Sequence, residues 1–111
     1  MADDPITIPA HPGEILRDAL LPGFRVTATE AAVAMRISPE ILYEILAERR
    51  SLTAEMCLRI ARYFGSSAEM WLRLQAKYDL HMTQQDERIA QSLQSIVPAE
   101  DSIRVAQRAT T

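Results

Sequence analysis

The chain has 111 residues, a formal net charge of −3 and 48% hydrophobic residues: enough for one small domain with a tail, with a core small enough that dimerisation would add stability. A single cysteine, Cys57, excludes an internal disulfide framework and fits a reducing compartment, and only three glycines argue against a loop that cradles phosphate. The acidic balance excludes a domain that is basic overall, though not one whose basic charge is gathered on a single face.

Residues 1–10 contain Pro5, Pro9 and two Asp, and read as an extended arm. The N-terminus lacks the basic region and apolar stretch of a signal peptide. No apolar run approaches the roughly 20 residues of a membrane span, so a cytoplasmic protein with no membrane partner is expected. In HPGEILRDALL, Pro12 suits a first helical turn and Ile15, Leu16, Ala19 and Leu20 recur at helical spacing. Pro22 and Gly23 are paired breakers and should stop that helix.

Thr27 and Glu30 then match a capping box at the start of a helix over residues 28–35. The turn RIS leads to Ser38 as N-cap and Pro39 as first residue of a helix over 39–47, with Leu42, Ile45 and Leu46 on its inward face. Thr53 can cap the next helix, whose stripe is Met56, Cys57, Ile60, Ala61 and Phe64, with Gly65 as terminator. Ser66 and Glu69 suggest a second capping box, with Met70, Trp71, Leu74 and Tyr78 as buried candidates. Beyond Leu80 the polarity rises. Ile89, Leu93 and Ile96 mark a thin amphipathic helix suited to packing across a dimer, and the last residues are weakly patterned. No alternation of the kind strands show occurs, so the expectation is all-α: five helices over residues 11–80, an arm at 1–10 and an extension at 81–111.

Two short helices joined by a three-residue turn form the pattern that braces a probe for the major groove of DNA. Rival chemistry is thin. No Ser-His-Asp arrangement, paired-acid cleft or Gly-rich loop can be assembled, so neither an enzyme nor a cofactor is expected. His11 and His81 stand far apart with no Cys or carboxylate cluster at ligand spacing, which favours a surface or capping role over a metal site. Cys57 lies on an apolar stripe and reads as core packing. Trp71 reads as a core anchor, Ile41 sits between the inward and outward faces, and Arg59, Arg62, Arg73 and Lys77 read as solvated helix faces.

HPGEILRDALLP, SLTAEMCLRIARYFGSSAEMWLRLQAKYDL and the segment between them, residues 11–80, resemble the HigA family of antitoxins, also called VapI-type helix-turn-helix proteins of the XRE group. The resemblance implies a five-helix, lambda-repressor-like domain that dimerises and binds a palindromic double-stranded operator. It also implies a partner, a small ribonuclease toxin of HigB type, which the protein neutralises while repressing their shared operon. It places base reading at Pro39, Glu40, Tyr43 and Glu44, with Ser38 at the helix start. Phosphate contacts would come from Ala28, Thr29, Arg49, Arg50 and Ser51. Two departures stand out: Arg36 and Glu48 occupy positions where such proteins usually carry Gly.

The recognition segment is also unusually acidic. Glu40, Glu44 and Glu48 are spaced i, i+4, i+8 and should line one helix face, where carboxylates oppose the phosphate attraction that dominates affinity. A carboxylate can accept from a cytosine amino group, a rarer mode than Arg on guanine. The bland alternative is an ordinary wet face, with Glu44 or Glu48 paired to Arg36, Arg49 or Arg50. Two functions are therefore carried forward: a dimeric repressor of antitoxin type, or an interaction module with little DNA affinity whose acidic stripe receives a basic partner.

Overall fold

A computed structural model describes residues 8–101, so most of the expected arm (residues 1–7) and the end of the extension (102–111) lie outside the described residues. By internal contacts the chain divides into two units, residues 1–81 and 82–111. Among the described residues there are helices and no strands.

The first unit opens with α1, which runs as α-helix over Pro12–Ile15, π-helix over Leu16–Leu20 and α-helix again over Leu21–Phe24. Contrary to expectation, Pro22 and Gly23 lie inside it. Pro22 has no N–H to offer and its ring crowds the carbonyl one turn earlier. The wider π turn directly before it, closed by Leu21 N–H donating to Leu16 O, adds a residue at the place where that crowding would arise. The helix stops at Arg25, which takes the left-handed conformation at φ 57°. His11 caps the other end by a ring nitrogen: Nδ1 accepts from Gly13 N–H at 2.8 Å. The capping role is as expected, a surface position is not. His11 is buried, its ring edge-on to Tyr78 with centroids 4.9 Å apart.

Helix α2 spans Ala28–Met35, α3 Pro39–Leu46, α4 Ala54–Phe64 and α5 Ala68–Gln84. Thr27 builds the expected capping box with Glu30, and Thr53 Oγ1 accepts from Met56 N–H at 3.2 Å. Gly65 closes α4 at φ 75°. The cap of α5 sits one residue later than the Ser66 box: Ser67 Oγ accepts from Met70 N–H, while Ser66 Oγ accepts from Trp71 Nε1 at 2.7 Å. That bond satisfies the only polar atom of an indole that is otherwise enclosed.

The core gathers Leu16, Ala31, Ala32, Met35, Leu42, Ile45, Leu46, Leu52, Cys57, Ile60, Phe64 and Trp71. Ala31 and Ala32 are fully buried, and their small side chains let α2 pack closely on α3 and α4. On α5 the burial pattern differs from the expected stripe. Met70 is exposed and Tyr78 half-buried, while Gln75 is enclosed. Gln75 Oε1 accepts from Leu52 N–H at 2.7 Å and its Nε2 donates to Asp79 at 2.8 Å. It thus ties the loop before α4 to α5, a job for an amide that periodicity does not reveal. No helix among the described residues is long and apolar enough to cross a membrane.

In the second unit, α6 spans Glu87–Gln94 with Asp86 as its cap. It carries Ile89 and Leu93, both exposed, whereas Ile96 lies beyond its end.

Candidate nucleic-acid interface

Helices α2 and α3 are held by the turn Arg36–Ile37–Ser38. Arg36 takes φ 57°, and the chain closes with Ile37 N–H donating to Ala32 O at 2.9 Å. Ile37 is buried, so the turn is pinned to the core at its centre. A left-handed L-residue costs about 1 kcal/mol relative to Gly, which is the physical sense of the departure from Gly at this position. Glu48, the second such position, takes φ 63°.

Anchoring of α3 comes from Leu42, Ile45 and Leu46, all buried. The opposite side presents Glu40 and Tyr43, both exposed, and Glu44 in part. Ser38 precedes Pro39 as the capping residue, but its hydroxyl does not cap the helix backbone; it donates to Glu40 at 2.6 Å. That bond, and after it the backbone of Glu40 itself, hold the carboxyl below its ordinary range. The group is a fixed, charged acceptor at the helix start.

Tyr43 and Thr29 meet across the helix pair, their hydroxyl oxygens 2.9 Å apart. Thr29 is exposed in the first turn of α2, next to half-buried Ala28. After α3, Arg49, Arg50 and Ser51 form an exposed loop. Arg50 Nε donates to Glu44 Oε1 at 2.7 Å, while Arg49 has no ion-pair partner among the described residues.

The expected acidic stripe does not form. Helix α3 ends at Leu46, and the left-handed turn swings Glu48 away to Arg17 of α1, at 3.2 Å. Arg17 is the residue that reading the sequence missed. Its Nη1 also donates to Leu46 O at 2.9 Å, satisfying a carbonyl at the end of α3. Bonds to Asp18 first and Glu48 second raise its affinity for the proton. No local signal marks its link to α3, because the partners that make it, Leu46 and Glu48, lie 29 and 31 residues away. Arg59 is likewise more than a solvated face: it pairs with Glu55 at 2.9 Å and reaches Met35 O at the end of α2.

Of three carboxylates, then, one is locked by a hydroxyl, one is paired to the loop after α3 and one is withdrawn to α1. The face offers Arg49 and Arg50, the hydroxyls of Thr29 and Tyr43, and the carboxylates of Glu40 and Glu44. That donor and acceptor set suits contacts to phosphates and base edges.

No protein-family model matches the chain. It is 43% identical over 94 residues to virulence-associated protein I of Dichelobacter nodosus, covering 85% of this chain and 84% of that relative. It is similar in structure to the Pseudomonas aeruginosa antitoxin HigA, solved with the higBA promoter. The TM-score is 0.75 at 36% identity, over 82% of this chain and 98% of that one. Antitoxin GraA in complex with its operator is also similar, with TM-score 0.74 and 28% identity over 88% and 97% of the two chains.

Proposed function

The chain belongs to the HigA/VapI-type family of helix-turn-helix proteins, and from that premise we propose that it is a DNA-binding transcriptional regulator of antitoxin type. The observation that carries this reading is the likeness in fold to two antitoxins solved on their promoter or operator DNA, together with an exposed basic loop directly after α3. In this reading α3 enters the major groove. Ser38, Pro39, Glu40, Tyr43 and Glu44 face base edges, while Ala28, Thr29, Arg49, Arg50 and Ser51 meet phosphates. A homodimer matches a palindromic operator, and a HigB-like ribonuclease toxin is the protein partner that the regulator neutralises.

A fluorescence titration of the protein's own upstream DNA against a scrambled duplex, at two salt concentrations, tests the reading. Tight, sequence-selective and salt-sensitive binding is expected. Replacing Arg49 and Arg50 with Ala should weaken binding to every sequence and flatten the salt slope on the upstream duplex by about 2, close to one per phosphate contact. An unchanged slope would remove the loop from the interface. Dimerisation is tested by sedimentation of the full chain and of I89E/L93E, since both residues are exposed on α6. An unchanged self-association constant would put the dimer contact elsewhere. Copurification with the product of an adjacent small basic reading frame tests the toxin assignment.

A further inference from the structure

The Glu44–Arg50 pair joins a residue on the outward face of α3 to one in the loop behind it. In the proposed docking, the first faces base edges and the second faces the phosphate chain. The bond uses only Arg50 Nε and Glu44 Oε1, at 2.7 Å, and Glu44 Oε2 takes no hydrogen bond among the described residues. Both side chains are more than two-fifths exposed, so solvent weakens the pair and it can be opened at low cost. It contrasts with its neighbours. Glu40 is fixed by Ser38, and Arg17 is held by Asp18, Leu46 O and Glu48 together. Among the described residues, Glu44 and Arg50 form the ion pair of this face whose members have no further side-chain partner.

We propose that Glu44 and Arg50 form an exchangeable pair that sets sequence specificity, with a cytosine amino group as the determinant. On a site that presents a cytosine N4–H opposite α3, Glu44 accepts from the base and Arg50 is released to a phosphate. One hydrogen bond breaks and two form. On a site without that donor, freeing Arg50 leaves a carboxylate unpaired against a polyanion. The pair then stays closed, and the loop contributes one cation fewer to non-specific binding. The acid on α3 therefore acts as a filter on non-specific affinity. This inference rests on the DNA-binding reading above and adds the base it reads and the residue that reads it.

The test compares full-length protein and E44Q on the upstream duplex, on the same duplex with single C·G pairs replaced, and on the scrambled duplex, each across a salt series. The wild type should lose about tenfold or more at one or two C·G positions, within the usual range for one mismatched base pair. E44Q should bind the scrambled duplex several-fold more tightly, with a salt slope steeper by up to 1, and its remaining amide oxygen should keep at most part of the preference for those C·G pairs. E44A, which has no acceptor, should show the same rise on the scrambled duplex and lose the preference altogether, which also separates loss of the carboxylate from any adenine contact made by the new Gln. E87Q carries the same change in net charge and should leave all three duplexes unaffected. If E44A keeps the wild-type selectivity, or weakens on all duplexes alike, the exchange is overturned while the DNA-binding reading stands. If the wild type binds no duplex, both fall.

Discussion

Gly13→Ala pits two effects of opposite sign against each other. Gly13 lies in the first turn of α1, where its backbone is not left-handed, so helix propensity alone favours Ala by up to about 1 kcal/mol. Tertiary packing says the reverse. A Cβ at this position would collide with the backbone carbonyl oxygen of Ile45 and stand 2.7 Å from its carbonyl carbon. Neither atom can rotate aside, because Ile45 is fully buried near the end of α3. Overpacking of this kind costs roughly 1–3 kcal/mol, more where backbone must move. A net loss of about 2 kcal/mol should therefore appear as a Tm lowered by roughly 10 °C for a domain of this size, measured by far-UV circular dichroism. Gly23→Ala is the internal comparison. It also sits within α1, but no atom lies within 4 Å of its added Cβ, so it should raise stability by about 0.5–1 kcal/mol. A Gly13→Ala protein as stable as the wild type would refute the close approach of α1 to α3. In the proposed docking, α1 thus sets the seat of the DNA-facing helix.

Arg36→Gly should stabilise the fold by about 1 kcal/mol in urea titration, since it relieves a left-handed L-residue. Glu48→Gly should gain less, because it also gives up the contact with Arg17. Gln75→Leu should cost about 1–3 kcal/mol by leaving the Leu52 N–H without its acceptor; a neutral result would show that another group takes that hydrogen. Thr27→Ala, which removes half of the capping box, should cost about 1 kcal/mol. Burial pushes the Cys57 thiol up, so the neutral form is favoured in the folded state. Its contribution is complete below the ordinary thiol range and is lost as pH rises through and beyond it. In practice, thiol labelling should be slow in the native protein and should track unfolding in denaturant; rapid native labelling would contradict the burial.

The sequence by itself determined where helices begin and which faces turn inward. Thr27, Thr53 and Gly65 act on backbone groups within a few residues, so their capping roles do not depend on the rest of the chain. Leu42, Ile45, Leu46, Cys57, Ile60 and Trp71 declare burial through a periodicity that any helix obeys. The resemblance carried by residues 11–80 added the family.

Tertiary structure decided the rest. Pro22 and Gly23 look like an end of helix, yet a π turn ahead of them carries α1 onward to Arg25. His11 reads as a surface or capping residue and Gln75 carries no signal at all, until Tyr78 and Leu52 engage them from elsewhere in the chain. Spacing sets Glu40, Glu44 and Glu48 in one acidic row, but a left-handed residue after α3 and an arginine 31 positions earlier take the row apart. Local rules act over one or two turns of helix. A charge on the surface is settled by whichever partner the fold brings within about 4 Å, and for the surface proposed to face DNA that choice separates a carboxylate that repels phosphate from one already engaged.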